Sequence, residues 1–147
     1  MGTPLNRWAS AHDYARHQRL VWPDAAAARP AGSGLAGRAV LNSVTLFEIR
    51  FGLALLASGR RKKLLHERFE ELLQDDLQNR VLLFDTNAAA QAAQLAADRK
   101  AGGRPVDMRD TFIAGIALAH KAILATRNIR HFSDLSVTVV NPWDCQA

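Results

Sequence analysis

From residue 81 onward, short apolar runs alternate with stretches of helical period, and that alternation confines the chain to a layered α/β architecture. Val81-Leu82-Leu83-Phe84 is bounded by polar residues, the form of a buried parallel strand. Asp85 or Thr86 can cap an Ala-rich helix that ends near Lys100, and residues 101–105 are a turn. Asp107 opens a helix to His120, followed by the strand Ile123-Leu124-Ala125-Thr126. A loop through Asn128 and His131 leads to a last strand, Val137-Thr138-Val139-Val140. Strands joined through helices form a mostly parallel sheet flanked by helices. In such sheets sites gather at the carboxyl ends of strands, where Thr126 and Asn128 fall.

The same texture reaches back to Val40. Ser43 can cap a helix to about Leu56, with Val44, Phe47, Phe51 and Leu55 apolar at helical spacing. Gly59 ends it and the basic run Arg60-Arg61-Lys62-Lys63 follows, read as a solvated helix start in preference to a phosphate contact. A second amphipathic helix carries Leu64, Leu65, Phe69, Leu72 and Leu73, with Glu67, Glu70 and Glu71 outside. These apolar stripes suit core packing, a partner's helix or a second subunit.

Residues 1–40 show neither period. Ala25-Ala26-Ala27-Ala28-Arg29-Pro30-Ala31-Gly32-Ser33-Gly34 is low-complexity and broken by Pro and Gly. The expected organisation is therefore an atypical segment, 1–40, disordered or out of frame, and one compact domain, 41–147. Net charge is +5, but residues 1–40 hold five Arg against two Asp, so more than half of the surplus lies in that segment. Charge alone does not establish a nucleic-acid partner. No apolar run approaches the roughly 18 residues of a membrane span, and the first residues lack a signal peptide's apolar core. The single cysteine, Cys145, cannot form an intramolecular disulfide, and the expected location is the reducing cytoplasm.

Two acids stand in unusual company. Glu48 is flanked by large apolar residues within Val44 to Phe51, and Asp110 lies just inside a helix start. The bland readings are a solvated face for Glu48 and a helix-dipole partner for Asp110, with Asp107 as the cap. Spacing does not establish that distant acids converge. If they do, their repulsion calls for a divalent ion, and hard oxygen ligands suit Mg²⁺ or Mn²⁺. Such a cluster at strand ends suggests phosphodiester hydrolysis.

The residues from Ser43 to Gly52 resemble a signature of the VapC/FitB-type PIN-domain toxins of toxin–antitoxin systems. Arg104-Pro105 through Asp110 to Ile113-Ala114 looks like that family's second acidic motif. Ala125-Thr126-Arg127-Asn128-Ile129-Arg130-His131-Phe132 is similar to its Thr-Arg-Asn motif, and Val140-Asn141-Pro142-Trp143 to its ending. The order and spacing of all four agree over nearly the whole of 41–147. The resemblance implies a PIN-like fold and a Mg²⁺-dependent endoribonuclease toxin, dimeric, held by a cognate antitoxin. It places Glu48 and Asp110 as metal ligands and Thr126 and Asn128 as polar residues that orient acids and bound water. His131 stands where many members have a further Asp, and a His is less suited to Mg²⁺. Asp134, three residues on, is the candidate to substitute for that acid, with a surface-loop role as the preferred reading. The competing readings are an inert PIN-like protein that retains antitoxin binding or dimerisation, and a nucleotide-binding module. The last is weaker because Ala101-Gly102-Gly103-Arg104 follows a helix and not a strand.

The family opens with a buried strand ending in Asp-Thr-Asn, whose Asp binds metal, and no such strand precedes Glu48. Asp85-Thr86-Asn87 matches a later strand-to-helix junction and is read as a helix cap. Residues 13–19 admit the codons GAT TAT GCT CGA CAC CAA CGT, which one base later read Ile-Met-Leu-Asp-Thr-Asn. In the same shifted frame residues 32–38 admit Val-Arg-Ala-Trp-Leu-Ala-Gly, which resembles the family's next helix. Residues 13–39 are accordingly read as an out-of-frame translation, with an upstream extension before them. The first strand is expected to be missing or altered, and activity weakened with it.

Overall fold

A computed structural model describes residues 20–23 and 40–141. The readings made on residues 1–19, 24–39, Pro142, Trp143 and Cys145 lie outside the described residues. Strands β1 (Leu20–Pro23) and β2 (Val40–Asn42) are followed by helices α1 (Ser43–Leu55) and α2 (Arg60–Glu71), the latter running into a π-helical turn, Leu72–Asp76. Next come β3 (Val81–Leu82), α3 (Thr86–Ala101), α4 (Met108–Ala119), β4 (Ala122–Ala125), a 3-10 turn (Ile129–Phe132) and β5 (Val139–Val140).

The five strands form one sheet in the order β3-β2-β1-β4-β5. The pairs β2/β3 and β4/β5 are parallel, as helical crossovers require. The central strand β1 is antiparallel to both neighbours, with Leu20 opposite Leu41 on one side and Ala125 on the other. The sheet is therefore mixed where a mostly parallel one was expected. Backbone hydrogen bonding explains why the slot is filled at all. Facing edges of β2 and β4 present donors and acceptors that a strand of either direction satisfies. Apolar periodicity carries no information about that direction.

Alternation of side chains divides the core in two. Leu41 and Ala125 face a cluster with Leu53, Phe69, Leu73 and Leu77, under α1, α2 and the π-helical turn. Val40, Ala122 and Leu124 face the opposite cluster with Leu95, Ile113, Ala114, Ala117 and Phe132, under α3 and α4. On that side α3 and α4 approach closely at Gly115, where an added Cβ would lie 2.5 Å from the Ala88 carbonyl oxygen and 2.7 Å from Ala92 Cβ. Among the described residues no helix is long and apolar enough to cross a membrane.

Several local readings need correction. The α1 cap is Asn42, whose Oδ1 accepts from the Thr45 amide at 2.8 Å, while the Ser43 hydroxyl accepts from the Phe84 amide at 3.0 Å. Cap preference ranks the two side chains alike, so their neighbours decide which is used. The apolar stripe of α1 is largely on the surface, with Phe47 60%, Phe51 54% and Leu55 71% exposed, while Thr45 and Leu53 are buried. Strand pairing ends early at both edges, at Leu82 in β3 and not before Val139 in β5. Gly59 is the N-cap residue of α2, so the basic run is that helix's first turn. The caps Asp85 and Asp107 stand as read, each accepting a backbone N–H three residues on at 2.9 Å.

Candidate active site at the carboxyl end of β4

Asp110 is fixed by the first turn of α4. Asp107 caps that helix through the Asp110 amide, and the positive end of the helix favours a carboxylate at this depth. Its side chain is only 6% exposed and meets the His131 ring, with Nδ1 2.7 Å from Oδ2. His131 comes from the 3-10 turn after β4, so the pair joins a helix start to the carboxyl end of a central strand.

Thr126 follows β4 directly and is buried; its hydroxyl accepts the Asn128 amide at 3.0 Å, and its own amide donates to Val140 at 2.9 Å. That turn re-aims the chain from the strand into the segment bearing His131, whose amide donates to the Asn128 carbonyl. Glu48 projects from α1 toward the start of α4, where Arg109 approaches its carboxylate at 3.4 Å. The arginine is 65% exposed, so this pair orients more than it stabilises.

The structure thus joins Asp110 with His131 and Thr126 with Asn128, and brings Glu48 to the residue preceding Asp110. Among the described residues no three His, Cys, Asp or Glu side chains gather as a metal cluster. The residues that could hold a metal here are Asp110 and Glu48, whose carboxylate oxygens are hard ligands of the kind divalent cations take.

The structure also reveals polar residues that sequence reasoning passed over. Arg99 is 4% exposed in the last turn of α3. Its guanidinium forks onto both oxygens of Asp134, at 2.8 and 2.9 Å. Asp134 is thus a loop residue, its side chain 20% exposed, that is anchored to the end of α3. The hydrogen bond from Arg99 holds its carboxyl below the usual carboxylate range, and Asp134 in turn raises the Arg99 guanidinium. Asp98-Arg99-Lys100 reads as a solvated helix end, and nothing in that tripeptide marks its middle member as buried. Asn42 and Thr45 are buried at the start of α1, hidden in the sequence by their cap-like spacing.

This layered fold, with acidic side chains at the head of one helix and beside a strand's carboxyl end, belongs to a defined class. The PIN domain profile matches residues 21–137, and the chain is a member of the PIN domain family. It is 39% identical over 104 residues to the plasmid stability protein StbB of Pseudomonas syringae pv. tomato, covering 71% of this chain and 75% of that one. It is 36% identical to the VapC ribonuclease Y4jK of Sinorhizobium fredii, over 71% of this chain and 74% of the relative. The crystal structure of FitAcB from Neisseria gonorrhoeae superposes with a TM-score of 0.65 at 38% identity, over 71% of this chain and 75% of the other.

Proposed function

We propose that this chain is the ribonuclease toxin of a toxin–antitoxin pair, using Mg²⁺, with Mn²⁺ as a substitute, to hydrolyse RNA phosphodiester bonds. The observation that carries the reading is the buried Asp110 carboxylate at the head of α4, with Glu48 arriving at the same helix end. Family membership and the names of the relatives, a VapC ribonuclease among them, support the class of reaction. An antitoxin partner is supported by the likeness to the FitAcB structure. A homodimer and a cytoplasmic location are the matching expectations for a toxin of this kind.

In this reading Glu48 and Asp110 hold the ion, and Thr126 and Asn128 order the turn beside it. A bound Mg²⁺ supplies an activated water and offsets charge on the phosphate. His131 steadies Asp110 from the strand side, through the contact of its Nδ1 with Oδ2 at 2.7 Å. Arg109 must yield Glu48 for the ion to be held, which its exposure permits.

Cleavage of RNA by the purified chain with Mg²⁺, compared with Glu48→Gln, tests the proposal. Loss of cleavage by at least a hundredfold in the variant, and in wild type with EDTA, is the expected result. Protein that is inert in Mg²⁺ and Mn²⁺ yet binds its antitoxin establishes the second reading, a PIN-like protein without catalysis. That alternative is favoured by one observation, the His131 side chain on Asp110 where a further acid is expected.

The first-strand Asp remains to be accounted for. We propose that residues 13–39 are translated out of frame, so that the family's opening strand and its acid are replaced by β1 as found. Sequencing codons 13–19 checks this, and codons that cannot yield Asp-Thr-Asn one base later end the idea.

A further inference from the structure

The guanidinium of Arg99 touches both elements that carry the acid–imidazole pair. Besides its fork onto Asp134, Nη2 donates to the His131 carbonyl oxygen at 2.9 Å and Nη1 to the Thr111 hydroxyl at 3.4 Å. Thr111 is fully buried, adjoins Asp110, and donates its own hydroxyl to the Asp107 carbonyl at 2.7 Å. Asp134 is also reached by Arg104 at 3.2 Å, from the turn that leads into α4. One buried cation therefore ties the end of α3 to the first turn of α4 and to the turn after β4.

A charge this deeply buried is tolerated only when it is paired and hydrogen-bonded throughout. The network meets that condition with a geometry only arginine supplies, since its planar fork matches a carboxylate while other donors remain for a carbonyl and a hydroxyl. A simple staple between α3 and the loop needs the Asp134 contact alone. The bonds to the His131 carbonyl and to Thr111 are additional, and both point at residues whose neighbours or side chains form the site.

We infer that Arg99, locked by Asp134, is a positioning residue that holds the Ile129–Phe132 turn against α4 so that the His131 imidazole stays on Asp110. Its consequence for cleavage rests on the ribonuclease reading; its geometric part does not.

The full chain with labelled histidine tests this by NMR and amide hydrogen exchange. Asp134→Asn weakens the fork without removing the buried guanidinium, and it serves if Arg99→Gln does not fold. In folded Asp134→Asn the amides of 129–134 are expected to exchange at least tenfold faster, with the His131 ring resonances displaced. Asp134→Glu is expected to restore both in part, and Arg99→Lys, which lacks the fork, to restore neither. A folded Asp134→Asn that melts earlier but leaves the His131 ring and those amides unchanged overturns the inference, because Arg99 is then a staple only. In RNA cleavage the inference expects a kcat at least tenfold lower with KM little altered; a rise in KM alone counts against it. If Asp134→Asn gives the NMR responses but the wild-type protein never cleaves RNA, the ribonuclease reading is lost and the positioning role stands.

Discussion

Asp134 is the residue whose chemistry differs most from what its place in the chain suggests. The hydrogen bond from Arg99 keeps it ionised below the usual carboxylate range. Because its folded value is depressed, its contribution to stability is complete above the unfolded value, about 3.9, and is lost as pH falls through the lower folded value. Thermal melting between pH 7 and 2 is expected to show a drop in midpoint beginning near pH 4. Asp134→Asn is expected to start lower at neutral pH and to have a shallower acid slope. An unchanged slope would mean that other carboxylates dominate the acid limb. The arginine side is less visible to pH, since Arg99 stays charged throughout that range.

Among the elements, the α3/α4 pair depends on a missing side chain. A methyl group at Gly115 would meet the Ala88 carbonyl at 2.5 Å, so the helices must separate to admit it. Gly115→Ala is expected to destabilise by about 2 kcal/mol or more in urea denaturation, despite the better helix propensity of alanine. The cap of α1 makes a second case: Asn42→Ala is expected to cost at least about 1 kcal/mol, since the residue is buried as well as capping. Helix α1 also carries the stacked pair Phe47 and Phe51, ring centroids 5.7 Å apart, on an exposed face beside Leu55. A double change of both to Ser is expected to cost no more than about 1.5 kcal/mol of folding stability. If the proposed antitoxin covers this face, the same variant loses at least tenfold in affinity by calorimetry; equal affinity places the antitoxin elsewhere.

For the molecule as a whole, the readable and unreadable parts divide along a physical line. The order of helices and strands after residue 40 was legible because burial on one face imposes a period on the residues themselves. Asp85 and Asp107 could be read as caps, since capping is local and spans three residues. Asp110, Thr126, Asn128 and His131 were singled out from the family motifs, and the structure records contacts of His131 with Asp110 and of Asn128 with Thr126. For the stripe on α1 the sequence left core and partner open, because periodicity reports an apolar face without saying what covers it; Phe47, Phe51 and Leu55 lie on the surface. The pairing of Arg99 with Asp134 was not legible because the two lie thirty-five residues apart and each looks like an ordinary surface charge. The polarity of β1 was beyond reach for a related reason, as strand direction is set by the partners a strand meets.

What the chain's residues determined unaided was therefore governed by near neighbours: element type, the caps Asp85 and Asp107, and the family motifs. Tertiary structure alone decided which charges are buried, which apolar face meets solvent and which way the central strand runs. Each of those depends on groups far apart in the chain, whose encounter is a property of the folded state and leaves no local period to read.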